Sequence, residues 1–260
     1  MIAKLLIPFV VLIFASVPIA FSQGLASLFL MSVEDVISGE SFVKGITAGL
    51  NSFTLAAVPL FTFAGDIMGK GGISRRLLDL GRIVFDRFTG GLGMVAIVAC
   101  MFFAAISGTG SATVAAIGLI MIPVMVNAGY DKPYSASLVA TAGTIGTIIP
   151  PSVCMVVYAV AANASVTSLF TAGFPVGIIT GIALCVYSYF VAKKRKYYPK
   201  EVHHYTGKEI WKIFVDAIPS LLIPVLVLGS IYGGICTPTE AAAFACCTLW
   251  AHRFPLYRLL

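Results

Sequence analysis

A short hydroxyl-rich segment, residues 107–113, separates two apolar runs that we expect to be helical. It reads Ser-Gly-Thr-Gly-Ser-Ala-Thr, and the runs on either side cover residues 91–106 and 114–126. Each run is shorter than the roughly 20 apolar residues that a helix needs to cross a bilayer. Non-helical backbone inside a membrane is tolerated only where protein buries it or where it lines a cavity. The pattern therefore predicts a re-entrant helical hairpin, a feature typical of transporter sites.

The composition restricts the class of protein. Of the 260 residues, 59% are hydrophobic and only 11% are charged, and the mean hydropathy is +0.98. A soluble domain carries about 25% charged residues, so we predict an all-α polytopic membrane protein in contact with a lipid bilayer. The net charge is +6, but the basic residues lie in a few loops, so we expect no nucleic-acid partner. The six cysteines follow no metal-binding spacing, and we expect no metal beyond a coupling ion.

Basic loops predict the orientation of the spans. Lys193-Lys194-Arg195-Lys196 follows an apolar run and is the strongest cytoplasmic signal in the chain. We expect residues 1–21 to form a retained first span and residues 46–68 the next one. A capping box at Thr206-Gly-Lys-Glu209 predicts a short helix that lies at the membrane interface.

A second irregular segment, residues 143–152, interrupts the apolar run 134–162. Pro150 and Pro151 cannot both belong to the interior of a regular helix, so the helix must break there. Like the first segment, it combines glycines with neutral oxygen donors, here Thr144, Thr147 and Ser152. Two such breaks in consecutive segments favour a discontinuous helix that carries a ligand site, although small residues could also serve only for close helix packing.

The two breaks carry the candidate site. Hydroxyl and carbonyl oxygens suit a hard monovalent cation, and half-helix N-termini favour anionic substrate groups. No charged residue occurs in 91–129 or in 133–192, whereas proton-driven transporters usually need an intramembrane carboxylate or histidine, so we expect Na⁺ coupling. The predicted Na⁺ and substrate site comprises Ser107, Gly108, Thr109, Ser111, Thr113, Gly143, Thr144, Gly146, Pro150, Pro151 and Ser152.

The order of the segments predicts four regions. Residues 1–90 hold N-terminal spans and a cytoplasmic loop as a scaffold, and residues 91–162 form the transport half. Residues 163–216 hold a span, the basic loop and the interfacial helix. Residues 217–260 begin a second repeat, because Pro224 and Gly229 weakly echo Pro59 and Gly65.

Several short motifs, taken together, carry a resemblance to a known family. They are Val17-Pro18-Ile19-Ala20-Phe21, Val58-Pro59-Leu60-Phe61, Gly71-Gly72-Ile73-Ser74-Arg75-Arg76-Leu77, Ile106-Ser107-Gly108, Ala115-Ala116-Ile117-Gly118, Pro123, Gly129-Tyr130, Ile149-Pro150-Pro151-Ser152 and Thr237-Pro238-Thr239-Glu240-Ala241-Ala242. Over residues 5–244 the chain resembles the large membrane subunit of the tripartite ATP-independent periplasmic (TRAP) transporters, DctM type.

The resemblance implies a bacterial inner-membrane symporter driven by Na⁺ and specific for organic acids such as C4-dicarboxylates or sialic acid. It implies an elevator-type transport domain, no enzymatic activity, a small membrane subunit and a periplasmic substrate-binding protein. It also implies that residues 107–113 are the tip of the first hairpin and that residues 143–152 are the unwound segment facing it.

The C-terminal end departs from the family pattern. The family continues beyond the Thr-Pro-Thr-Glu-Ala-Ala motif with a second hairpin and a second broken helix, whereas this sequence runs only to Leu260. We therefore expect a truncated large subunit with one half of the transport domain. The alternatives are a non-transporting fragment and another Na⁺-coupled ion or anion transporter. An intramembrane enzyme is disfavoured, because no histidine lies in the predicted site.

Overall fold

A computed structural model describes residues 2–34, 38–70, 73–198 and 206–256. Within these ranges the chain forms twelve α-helices, two short 3-10 helices and no strand, as an all-α membrane protein requires. The 3-10 helices cover Phe53–Ala56 and Ile145–Thr147. The α-helices are α1 (Ile2–Phe14), α2 (Ile19–Glu34), α3 (Gly39–Leu50), α4 (Ala57–Lys70), α5 (Ile73–Phe85), α6 (Gly91–Ser107), α7 (Gly110–Asn127), α8 (Lys132–Thr144), α9 (Val153–Ala162), α10 (Val166–Lys194), α11 (Gly207–Tyr232) and α12 (Pro238–Leu256).

The chain divides into two compact units, one up to Ser52 and one from Phe53 onward. In the first unit, α1 and α2 pack against each other, and Lys4 Nζ lies 2.6 Å from Glu34 Oε1. The expectation of a single span over residues 1–21 is wrong, because the helix stops at Phe14 and a new one starts at Ile19. Pro18 explains the break, since a residue that precedes proline is driven out of the α conformation.

In the second unit, α6 is the central helix. It packs against α4, α5, α7, α8 and α10, and residues such as Val95, Cys100 and Phe103 along it are fully buried. Helix α10 approaches this centre with a face of glycines. A Cβ at Gly177 would lie only 2.3 Å from Ile149 Cγ1, so the absence of a side chain permits the close packing.

The outer surface of α10 carries large apolar side chains. Ile179, Ile182, Val186 and Phe190 are 67%, 58%, 50% and 63% exposed. Such a surface is unfavourable in water and suits lipid, which fits a helix that crosses a bilayer. The helix ends at Lys194 and is followed by Arg195 and Lys196, which fits a cytoplasmic membrane boundary.

Two helices of the described residues, Gly110–Asn127 and Val166–Lys194, are each long and apolar enough to cross a membrane. The count rises to four if the helix pairs within residues 39–69 and 207–232 each form one span.

Helix α7 is longer than the sequence predicts, because it starts at Gly110, inside the hydroxyl-rich segment. With 18 residues it extends about 27 Å, so the length of α7 alone does not distinguish a span from half a hairpin.

Two capping boxes are present, the one that the sequence predicts at Thr206 and a second one at Thr237. The N–H of Thr206 donates to Glu209 Oε2 at 2.8 Å, and the N–H of Thr237 donates to Glu240 Oε2 at 2.8 Å. Helix α11 continues to Tyr232, but it bends by 44° between Ile218 and Leu221, so the short helix that the sequence predicts corresponds to its first part. The capping box at Thr206 marks where α11 begins, and the sequence between Gly207 and Gly229 contains no further glycine that would end the helix.

Candidate functional site

The tip of the hairpin between α6 and α7 consists of only two residues. Gly108 has φ of +62° and ends α6, with its N–H donating to the Ala104 carbonyl at 2.9 Å. Thr109 is extended, with φ of −133°, and α7 begins at the next residue. A left-handed residue at the end of a helix is usually glycine, because a Cβ is disfavoured in that conformation.

Three neutral oxygens converge just inside this tip. Ser107 Oγ lies 3.1 Å from Thr113 Oγ1, and Thr113 Oγ1 donates to the carbonyl oxygen of Thr109 at 2.8 Å. Ser107 and Thr113 are only 1% and 0% exposed. We call Ser107 Oγ, Thr109 O and Thr113 Oγ1 the oxygen cluster. Its chemistry, hydroxyl and carbonyl oxygen without charge, is that of monovalent cation sites.

The second break lies between α8 and α9, where the sequence places it. Helix α8 ends at Thr144, a 3-10 turn follows, and α9 starts only at Val153. Ser152 is fully buried; its hydroxyl donates to the Thr147 carbonyl at 2.8 Å and accepts from the N–H of Met155 at 3.4 Å. Ser152 therefore closes the irregular segment and caps α9.

The two breaks are in direct contact. The N–H of Val153 donates to the carbonyl of Gly108 at 3.1 Å, which joins the hairpin tip to the start of α9. A Cβ at Gly108 would lie 2.8 Å from the carbonyl oxygen of Pro151, and one at Gly110 would lie 3.0 Å from that of Gly143. Glycine at positions 108 and 110 therefore allows the hairpin tip to pack closely against residues 143–151.

Gly146 brings the second break against the oxygen cluster. A Cβ at this position would lie 3.2 Å from Thr109 O and 3.2 Å from Thr113 Oγ1. The cluster is thus enclosed between the hairpin and the 3-10 turn of the discontinuous helix.

Most of the residues predicted for the site come together here. The residues found at this interface are Ser107, Gly108, Thr109, Thr113, Gly143, Gly146, Pro151 and Ser152, and Pro150 is buried beside them. Ser111 and Thr144 are instead exposed, and the Thr144 hydroxyl donates to the carbonyl of Thr141. Ser111 is two positions from the buried Thr113 on α7, about 200° around the helix, so it faces away from the cluster.

One residue of the site was not predicted. A Cβ at Gly65 in α4 would lie 2.7 Å from Ser107 Cα, so this helix contacts the hairpin tip directly. In the sequence Gly65 is visible only as part of a weak repeat, and no local pattern connects it with a segment 42 positions later. Among the described residues, no group of three or more His, Cys, Asp or Glu could hold a metal ion.

The opposite end of the hairpin is anchored to the end of α10. The hydroxyl of Tyr197 donates to Asp131 Oδ2 at 2.7 Å, Arg195 pairs with the same carboxylate, and the N–H of Gly90 donates to the Tyr197 carbonyl at 3.2 Å. The hydrogen bond from Tyr197, and next the one from Arg195, hold the pKa of Asp131 below its usual range. Both ends of the hairpin are therefore fixed by specific contacts.

Comparison with known families assigns the protein. Residues 6–252 match the family model described as "Tripartite ATP-independent periplasmic transporter, DctM component". The chain belongs to this family. The DctM family consists of membrane transporter components, and the apolar helices of this chain fit a multi-pass membrane protein.

Curated relatives within the DctM family are 33% to 46% identical to this chain over the aligned residues. The isethionate TRAP transporter permease protein DctMQ of Oleidesulfovibrio alaskensis is 46% identical over 91% of this chain and 37% of the relative. The C4-dicarboxylate TRAP transporter large permease protein DctM of Vibrio cholerae is 42% identical over 94% of this chain and 54% of the relative. The 2,3-diketo-L-gulonate TRAP transporter large permease protein YiaN of Escherichia coli is 36% identical over 88% and 53%. The chain thus spans about half the length, or less, of these relatives.

Proposed function

We propose that this chain is the membrane subunit of a Na⁺-coupled, binding-protein-dependent symporter for organic acids in the bacterial inner membrane. The observation that carries the proposal is the contact between the hairpin tip and the discontinuous helix, which encloses the oxygen cluster of Ser107, Thr109 and Thr113. Such a site supplies neutral oxygens for a cation without introducing a titratable group.

The arrangement of helix ends supports a site for two oppositely charged ligands. Helices α6 and α8 end at the interface, so their last carbonyl groups bear partial negative charge, which favours a cation. Helices α7 and α9 begin there, and their first N–H groups favour an anion such as a carboxylate. In our proposal Na⁺ binds at the oxygen cluster and the substrate anion binds towards the starts of α7 and α9.

The mechanism that we propose is an elevator movement of the hairpin and the discontinuous helix as one body. Its support is that the tip is joined to Val153 and the base to Tyr197 by hydrogen bonds, so the hairpin cannot move without its neighbours. The N-terminal region would then act as the scaffold. The re-entrant course of the hairpin is part of the same proposal, and it is supported by the burial of the tip inside protein.

The substrate class and the partners are inferred from the family. The three relatives are named for isethionate, C4-dicarboxylates and 2,3-diketo-L-gulonate, which are all small organic anions. We propose a substrate of this kind, with C4-dicarboxylates and sialic acid as candidates, and we propose a small membrane subunit and a periplasmic substrate-binding protein as partners.

An uptake assay tests this function. The chain is produced in bacterial cells together with a small subunit and a binding protein of the family, and uptake of radiolabelled succinate, sialic acid and isethionate is measured in Na⁺ and in K⁺ buffer. We expect uptake in Na⁺ only, and a higher half-saturating Na⁺ concentration for Ser107→Ala than for Ser111→Ala, because only Ser107 lies in the oxygen cluster. Stable insertion without uptake of any substrate would favour the non-transporting alternative, and uptake that is independent of the binding protein would favour another transporter type.

A further inference from the structure

Helix α4 contacts the hairpin tip closely at Gly65. A Cβ on this residue would lie 2.7 Å from Ser107 Cα and 2.8 Å from Ser107 Cβ, and Cβ atoms essentially never make non-bonded contacts shorter than 3.0 Å. The atoms met are backbone and the first side-chain carbon of Ser107, and neither can rotate away. Any side chain at position 65 must therefore displace either α4 or the hairpin tip.

Helix α4 is not free to withdraw. On its buried face, Phe61, Ala64 and Met68 are 1%, 0% and 0% exposed. On another side it packs along α12, where Cys246 Sγ donates to the carbonyl of Leu60 at 3.1 Å. Because α4 is held between α12 and the hairpin, a bulkier residue 65 would shift the tip.

A shift of the tip acts directly on the oxygen cluster. Ser107 Oγ is 3.1 Å from Thr113 Oγ1, and a Cβ at Gly146, in the 3-10 turn, would lie 3.2 Å from both Thr109 O and Thr113 Oγ1. The cluster is thus confined between two glycines on different elements. A ligand site must keep its groups within about 0.5 Å of the binding geometry. A Cβ at 2.7 Å from Ser107 Cα must move away by about 0.7 Å to reach an ordinary contact of 3.4 Å, which exceeds this tolerance.

We propose that Gly65, together with Gly146, positions Ser107 and Thr113 for Na⁺ binding. Gly65 contributes no ligand, and it is a positioning residue that acts through Ser107. The inference rests on the proposed function, because it concerns the affinity of the proposed Na⁺ site.

The test compares Gly65→Ala with Gly69→Ala in the purified full chain in detergent. Gly69 is on the same helix one turn later, and a Cβ there would make an ordinary contact of 3.6 Å with Phe103 Cζ, so the two variants share the helix and the added methyl group. Thermal unfolding is measured in increasing NaCl, with KCl added to keep the ionic strength constant. Ligand binding to the folded state raises the melting temperature, and the midpoint of that rise reports Na⁺ affinity.

We expect the Na⁺ midpoint of Gly65→Ala to rise about tenfold, as is typical when a residue that orients metal ligands is changed, with the midpoint of Gly69→Ala close to that of the unchanged chain. The Cβ of Gly146→Ala would make longer contacts, at 3.2 Å, with the oxygen cluster, and this variant should also raise the Na⁺ midpoint. If Gly65→Ala does not fold, Gly146→Ala tests the positioning role instead. Equal midpoints in the unchanged chain and in the variants that fold would overturn the positioning role alone. If Na⁺ does not stabilise even the unchanged chain, the Na⁺ site of the proposed function fails, and this role for Gly65 fails with it.

Discussion

Substitution of Gly108 by alanine tests the contact on which the site depends. With φ of +62°, Gly108 adopts a conformation that costs a residue with a Cβ about 1 kcal/mol. The new methyl group would also lie 2.8 Å from the Pro151 carbonyl oxygen and 3.0 Å from the Val153 nitrogen. Relief of this overlap requires the tip and α9 to separate, which breaks the Gly108–Val153 hydrogen bond and costs about 1 kcal/mol more. We therefore expect Gly108→Ala to lower the free energy of unfolding by about 2 kcal/mol.

Gly234→Ala is the matched control. Gly234 has φ of +68°, and a Cβ there would meet no heavy atom within 4 Å. This variant carries the conformational cost without the overlap, and the change in the unfolded chain is the same for both substitutions. We expect it to lose about 1 kcal/mol.

Both variants are unfolded in mixed detergent micelles with increasing dodecyl sulfate, and the loss of helix is followed by circular dichroism. The difference between the two variants then measures the tip contact by itself. If the free energy of unfolding of Gly108→Ala is no lower than that of Gly234→Ala, the hairpin tip does not pack closely against residues 151–153, and the site does not have the geometry described above.

Two further predictions concern helix ends outside the site. Hydrogen bonds from Tyr197 and, next, from Arg195 lower the pKa of Asp131 in the folded state, so this carboxylate stabilises the fold at neutral pH, and the stabilisation is lost as the pH falls below about 4. Asp131→Asn should therefore reduce the acid-dependent fall in melting temperature. A pH profile identical to that of the unchanged chain would contradict this prediction. Thr237→Ala removes the N-terminal cap of α12 and should lower the free energy of unfolding by about 1 kcal/mol. Thr248→Ala, within the same helix, is the control and should be neutral or slightly stabilising. Equal losses of the two variants in detergent unfolding would show that the cap contributes nothing.

The positions of the two helix breaks could be predicted from the sequence because their signals are local. Glycine and proline change the backbone at the residue where they occur, so the break near Pro150-Pro151 and the left-handed turn at Gly108 follow from those residues. The capping box at Thr206 likewise identifies the start of α11.

The features that could not be predicted depend on exact boundaries or on distant contacts. The start of α7 at Gly110 decides that Thr113 faces the oxygen cluster and that Ser111 does not, and helix boundaries are the least certain part of a sequence-based prediction. The capping box at Thr206 marks where α11 begins, but it does not predict that the helix continues past its bend between Ile218 and Leu221 as far as Tyr232. The contact of Gly65 with Ser107 joins residues of two helices, and only the packed structure reveals it.

The most direct test of the central claim is a measurement of Na⁺ binding at the oxygen cluster. The sodium NMR linewidth is recorded for the purified chain and for a Ser107→Ala, Thr113→Val double variant, because Na⁺ held by protein has a broader resonance than Na⁺ in water. Our account predicts excess broadening that is saturable and is lost in the double variant, with both proteins retaining the same helix content. The same saturable broadening in both proteins would contradict the claim that the two helix breaks form the Na⁺ site.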